Sequence, residues 1–244
     1  PELTFPYLIP GQEVLLDDGK IHLKIVEKAE NVTENGGENT QEKRYFAKVL
    51  WGGLLKSRKS AALPGAKIYP PTLTNSDLAN IKIAKEMGVT GVMQPFVRDH
   101  SDLECVKEAL REAGAEDIRL FAKIENMDGV RKLEKLLPAA DEIVIARGDL
   151  GNAVHLWDLP GVQRQISEKC RAAGKPFMVV TQMLASMERS PVPTRAEVND
   201  IFHAVMDGAA SIMVTGETAV GDYPVEVIRY MVNTVRSAEK EENR

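Results

Sequence analysis

A chain of 244 residues with 43% apolar and 27% charged residues can bury a full domain plus a smaller one, and its composition lies far from that of disordered proteins. Its formal charge of -5, with lysines and arginines dispersed along the sequence, leaves no basic face on which a nucleic acid would condense. No apolar run approaches the roughly 20 residues needed to cross a bilayer, and residues 1–10 lack the basic flank and cleavage site of a signal peptide, so a cytoplasmic protein without a membrane partner is expected.

In chain order, residues 11–26 read as strand, an Asp17-Asp18-Gly19 turn, and a second alternating strand over 20–26. A polar, glycine-rich loop over 30–43 precedes another strand at 45–50, and Gly52, Gly53, Pro64 and Gly65 punctuate the return. These features predict a small β domain over residues 1–67, joined to a second domain over 68–244.

From residue 89 onward, short apolar strands alternate with amphipathic helices, the signature of parallel βα units with buried strands. Strands are predicted at 89–93, 118–123, 142–146, 177–181 and 211–215, and helices beginning near Ser101, Met127, Leu159, Thr194 and Tyr223. Gly88, Gly114, Gly174 and Gly208 fall between a helix and the next strand, where a left-handed residue ends the helix. Cys105 and Cys170 have no metal-like spacing and read as reduced packing residues; Trp51 and Trp157 likewise read as packing residues. The four histidines show no mutual spacing for a metal site.

No dinucleotide glycine fingerprint follows the first βα strand, whereas polar residues collect at four successive strand ends: Lys123 and Glu125, Arg147 and Asp149, Thr181 and Gln182, Thr215 and Glu217. Barrel active sites gather chemistry from many strand ends in this way, so the expected fold is α/β, a TIM-type (β/α)8 barrel of which about five units are visible, with a small β-rich lid. Lys123 and Glu125 are separated by one residue and leave the strand on the same face. Two carboxylates on neighbouring strands, Glu125 and Asp149, suit one Mg²⁺ that keeps other positions for water and substrate oxygens. Lys123 beside them would balance charge developing on a substrate.

The segments AKIENMDGV, IVIARGDLG, GKPFMVVTQMLASM, PTRAEVNDIFHAVMDGA and VTGETAVGDYP are similar, in order and spacing, to the signature segments of the pyruvate kinase catalytic domain. LLDDGKIHLKI and GGLLKSRKSAALPG resemble the same family's lid. The resemblance implies phosphoryl transfer between phosphoenolpyruvate and ADP, giving pyruvate and ATP, in a homo-oligomer. It implies Glu125 and Asp149 as ligands of Mg²⁺ or Mn²⁺, and Lys123 beside the transferring phosphoryl group. Ala146, Arg147, Gly148 and Asp149, through their backbone, together with Thr181, would bind the substrate carboxylate, and Thr181 would orient the water that protonates enolpyruvate. Lys59 would reach the nucleotide phosphates, with Asp18 near the closing cleft.

The chain resembles the family from after its third barrel strand, so the segments supplying the family's substrate-phosphate arginine and K⁺ ligands have no counterpart here, nor has its effector domain. A longer natural protein is therefore expected. Gln94-Pro95-Phe96-Val97-Arg98 replaces a more usual serine-containing strand end, and Gly151-Asn152-Ala153 lacks the usual acid after the glycine. Two other readings stay open: a metal-dependent lyase or aldolase of the related barrel superfamily, and a catalytically inactive binding module.

Overall fold

The computed structural model describes residues 2–17, 19–29, 44–57 and 59–242. Asp18 and the loop predicted over 30–43 lie outside the described residues. The chain divides into two compact units, Pro1–Pro71 and Thr72–Arg244.

The first unit is a four-stranded antiparallel sheet with strand order β3-β2-β1-β4, built from β1 (Glu13–Leu16), β2 (Ile21–Lys28), β3 (Tyr45–Trp51) and β4 (Ala61–Ala62). The predicted hairpin is present: Leu16 pairs with Ile21, and the turn between them uses positive φ at Asp17 (50°) and Gly19 (83°). Val14, Ile21 and Ile25 form its buried apolar positions. Trp51 packs edge-on against His22 at 4.2 Å, yet stays half-exposed at 54%.

The second unit carries five parallel strands, β5 (Gly91–Gln94), β6 (Arg119–Ile124), β7 (Glu142–Ala146), β8 (Phe177–Val180) and β9 (Ser211–Met213), paired in sequence order. A doubly wound sheet reverses its strand order at a switch point; this one does not, and it winds one way like successive staves of a barrel. The helices α1 (Asn75–Ala84), α2 (His100–Glu112), α3 (Met127–Arg131), α4 (Leu133–Leu136), α5 (Arg147–Ala153), α6 (Leu159–Ala172), α7 (Arg195–Met206), α8 (Gly216–Ala219) and α9 (Pro224–Glu242) fall before, between and after the strands.

Strand alternation sorts the side chains into two layers. Leu120, Ala122 and Ile124 of β6, Ile143 and Ile145 of β7, and Phe177 and Val179 of β8 join Leu103, Leu133, Leu136, Ile166, Ile201 and Val227 in one buried core between strands and helices. On the opposite face Val144, Ala146 and Val180 pack with Phe121, Met178 and Met213. Lys123 shares the parity of Phe121, which places it on that second, inward face.

At the amino end of this inner face, Glu142 accepts hydrogen bonds from Arg119 of β6 at 3.2 Å and from Ser211 of β9 at 2.5 Å, a link that reaches across β8. Helix starts follow their capping chemistry. Thr74 with Asp77 and Thr194 with Glu197 form reciprocal capping boxes, and Asp99 accepts from Ser101 N–H ahead of α2. The four expected helix-ending glycines all take positive φ: Gly88 at 72°, Gly114 at 63°, Gly174 at 61° and Gly208 at 88°.

Two packing expectations need correction. Cys170 is fully buried, but Cys105 is exposed, because α2 turns its Leu103, Val106 and Leu110 stripe inward and Cys105 outward. Trp157 is 78% exposed, stacked on His155 at 4.6 Å in the segment between α5 and α6.

Candidate active site at the carboxyl edge of the parallel sheet

Glu125 follows directly on β6, and its side chain is 2% exposed. Lys123 Nζ lies 2.8 Å from its Oε1, and the Phe96 N–H donates to its Oε2 at 2.7 Å. A carboxylate at such burial needs polar partners, and the ammonium and the amide supply them. A carboxylate so enclosed is not part of a solvated surface ion pair. Phe96 adopts φ 52°, a left-handed conformation that costs a bulky residue about 1–3 kcal/mol. Around it, Asn126 donates to Val97 O at 3.1 Å while capping α3 through Gly129 N–H at 2.9 Å. A Cβ on Gly129 would lie 2.6 Å from Val97 O, so the glycine of the KIENMDG segment lets this loop close down.

The parallel register pairs Ile124 with Ile145, which sets Glu125 level with Ala146 at the end of β7. There the chain enters α5 without a side-chain cap, a helix not among those expected from the sequence. Asp149, half-buried, stands in the first turn of α5. The amide N–H groups of Arg147, Gly148 and Asp149 are among the four that a helix start leaves without intrahelical acceptors.

Thr181 follows β8, whose Val180 pairs with Ala146. Both Thr181 (φ 79°) and Gln182 (φ 56°) are left-handed, and a Cβ on Gly148 would sit 3.0 Å from Thr181 Cγ2. The structure thus brings the α5 turn against Thr181. The Arg147 guanidinium is engaged within the protein: Nη1 meets both carboxylate oxygens of Asp200 at 2.8 and 2.6 Å. Nε and Nη2 donate to Thr181 O at 3.2 and 2.8 Å, and Nη2 also meets Met183 Sδ at 2.8 Å.

At the fourth strand end, Glu217 is buried and accepts from Thr215 N–H at 2.8 Å and Leu184 N–H at 3.2 Å, so its carboxylate ties the β8 and β9 loops together. In the first unit Lys59 Nζ lies 2.8 Å from Asp17 Oδ1. That hydrogen bond, against a smaller opposing effect of burial, holds the Asp17 carboxyl below its usual range.

Sequence reasoning missed the anchoring N–H of Phe96, the Asp17 partner of Lys59, and Asp200. Only Asp200 left a signal: an arginine at an apolar strand end calls for an anion, and Asp200 lies in one of the quoted segments.

Carboxylate oxygens are hard donors suited to Mg²⁺ or Mn²⁺. Among the described residues no group of three or more His, Cys, Asp or Glu is placed to hold a metal ion. Two carboxylates alone, Glu125 and Asp149, would leave most positions of such an ion to water and substrate oxygens.

Sequential parallel strands with lysine, carboxylates and helix-start amides along their carboxyl edge define a segment of an α/β-barrel enzyme. The sequence profile described as "Pyruvate kinase, barrel domain" matches residues 4–228. Curated pyruvate kinases match over most of the chain. That of Bacillus licheniformis is 38% identical over 94% of this chain and 38% of its own length, and that of Geobacillus stearothermophilus 40% identical over 94% and 38%. That of Clostridium acetobutylicum is 35% identical over 96% of this chain and 47% of its own length. The chain belongs to the pyruvate kinase family. It spans less than half the length of these curated relatives. Among the described residues no helix is long and apolar enough to cross a membrane.

Proposed function

We propose that the protein this chain represents transfers a phosphoryl group from phosphoenolpyruvate to ADP, giving pyruvate and ATP, and depends on Mg²⁺ or Mn²⁺. The observation that carries this reading is the enclosed Glu125 carboxylate, held between Lys123 Nζ and Phe96 N–H and level in register with Ala146 and the α5 turn that bears Asp149.

Glu125 and Asp149 would hold the divalent ion, which supplies charge neutralisation for the phosphoryl and enolate oxygens when bound. Lys123 places a second positive charge on the same face and stabilises charge developing as the phosphoryl group departs. The substrate carboxylate is received by the N–H groups at the start of α5, between Ala146 and Asp149, where the helix dipole favours an anion. Thr181 adds its hydroxyl to that carboxylate and orients the water whose proton reaches the enolate carbon. Lys59, in the β unit, meets the nucleotide phosphates, exchanging its Asp17 partner for them. That unit would act as the lid that excludes water during transfer. The family's K⁺ requirement, homo-oligomeric assembly and cytoplasmic location are part of the same proposal.

A lactate-dehydrogenase-coupled assay of the full-length protein with phosphoenolpyruvate, ADP, Mg²⁺ and K⁺ tests it, and pyruvate formation that falls about 10²–10³-fold in Lys123→Met is the expected result. Absence of pyruvate from the wild-type protein refutes the kinase reading; retained binding of Mg²⁺ with oxalate would then assign it to an inactive binding module.

A further inference from the structure

We infer that Asp200 is a positioning residue, which acts through Arg147 to hold the α5 turn and Thr181 in their receiving geometry. The inference rests on the reading that this turn takes the substrate carboxylate. Arg147 is the first residue of α5, and its side chain is 13% exposed, so its charge cannot simply be left to solvent. Both oxygens of Asp200, on α7, lie within 2.8 Å of Nη1, a charge-assisted contact that neutralises the guanidinium and fixes its plane. With one edge held, Nε and Nη2 are aimed at Thr181 O, at 3.2 and 2.8 Å.

Arg147 thus bridges three elements: the end of β7, the residue after β8, and α7. The bridge closes at a left-handed, strained backbone position. Thr181 is β-branched yet sits at φ 79°, a conformation that persists only when its surroundings over-determine it. The carbonyl gripped by Arg147 is its own. From the other side Gly148 approaches so closely that a Cβ would fall 3.0 Å from Thr181 Cγ2. Removing the Asp200 charge leaves a cation with no counter-anion in a mostly buried position, and the guanidinium then leaves Thr181 O to find solvent or the substrate anion. Thr181 relaxes toward the extended region, and its hydroxyl and the α5 amides lose their common focus. Asp200 itself touches no substrate. The occupied guanidinium also means that Arg147 serves the substrate through its backbone rather than its side chain.

The test compares wild type with Asp200→Ala, Asp200→Asn and Asp200→Glu in the full-length protein, by steady-state kinetics and by amide hydrogen exchange. The expected result for Asp200→Ala and Asp200→Asn is a KM for phosphoenolpyruvate raised at least tenfold, a smaller fall in kcat, and a KM for ADP within twofold of wild type. Exchange should quicken at residues 147–150 and 181–183 but not in α9, and Asp200→Glu, which keeps the charge, should recover most of the KM. The inference is overturned if the phosphoenolpyruvate KM stays within twofold, if both substrates' KM values rise together with loss of protection throughout, or if Asp200→Glu behaves like Asp200→Ala. Should wild type form no pyruvate, the kinase reading fails by itself. The exchange comparison then decides the bracket alone: local quickening upholds it and unchanged exchange removes it.

Discussion

Lys123→Met isolates the enclosed carboxylate at the heart of the site. The substitution keeps the length of the side chain and removes its charge, leaving Glu125, 2% exposed, with Phe96 N–H as its remaining contact of the two described above. Stripping one partner from a fully buried ion pair costs about 3–5 kcal/mol. Lys123 is itself a quarter exposed, so water can partly take its place, and a loss of about 2 kcal/mol is expected. Glu125→Gln should cost less, about 1 kcal/mol, because the amide carbonyl still accepts from Phe96 and the freed ammonium can hydrate. If Glu125 holds the proposed divalent ion, that ion offsets the missing charge, and at a hundred times its dissociation constant it restores about 2.7 kcal/mol. Turnover should nonetheless fall about 10²–10³-fold, since an ion cannot also stand where the ammonium stood. Urea unfolding followed by circular dichroism, with and without Mg²⁺, gives the stabilities, and the coupled assay gives the rate. The reasoning is refuted if Lys123→Met unfolds within about 0.5 kcal/mol of wild type without Mg²⁺, which is the scatter of ordinary surface changes. It is refuted equally if Glu125→Gln proves the more damaging change.

Burial alone would raise the Asp102 carboxyl, but hydrogen bonds from Arg98 and Thr72 bring it from 3.8 down to about 2. Its stabilisation is therefore complete above pH 4 and is lost as the pH falls toward 2, so the stability gap between wild type and Asp102→Asn should shrink by about 2 kcal/mol across that window in urea titrations. Gly129→Ala forces a Cβ to 2.6 Å from Val97 O and should destabilise by about 1–3 kcal/mol in the same assay, a cost absent from Gly161→Ala, where nothing stands within 4 Å. Burial pushes the Cys170 thiol up to about 12, so at pH 8 a thiol reagent should titrate one cysteine, the exposed Cys105, in the native protein and both in denaturant.

The βα alternation was legible because four of the five parallel strands are preceded by a helix-ending glycine, and all four such glycines took the left-handed backbone expected of them. The ends of strands were less legible. Thr181 and Thr215 fall outside β8 and β9 although their residue types suit strands, because the tight turns that follow bend the chain first. The helix ahead of Gly88 was implied without a start, although Thr74 and Asp77 form the capping box that opens α1, and α5 was not among the expected helices, since the two glycines of ARGDLG are poor helix formers. At the site, spacing within one strand end put Lys123 and Glu125 together, as the ion pair shows. What spacing does not encode is contact between elements far apart in sequence. Asp200 and Arg147 are 53 residues apart, Phe96 and Glu125 are 29 apart, and only the packed sheet makes them neighbours.

The Glu142 junction divides labour along the length of the staves. Its bonds to Arg119 and Ser211 gather β6, β7 and β9 at the rim farthest from Glu125 and Thr181. On the proposed reading, changes around Glu142 are therefore expected to alter how much heat the sheet withstands while leaving the residues at the other rim in place.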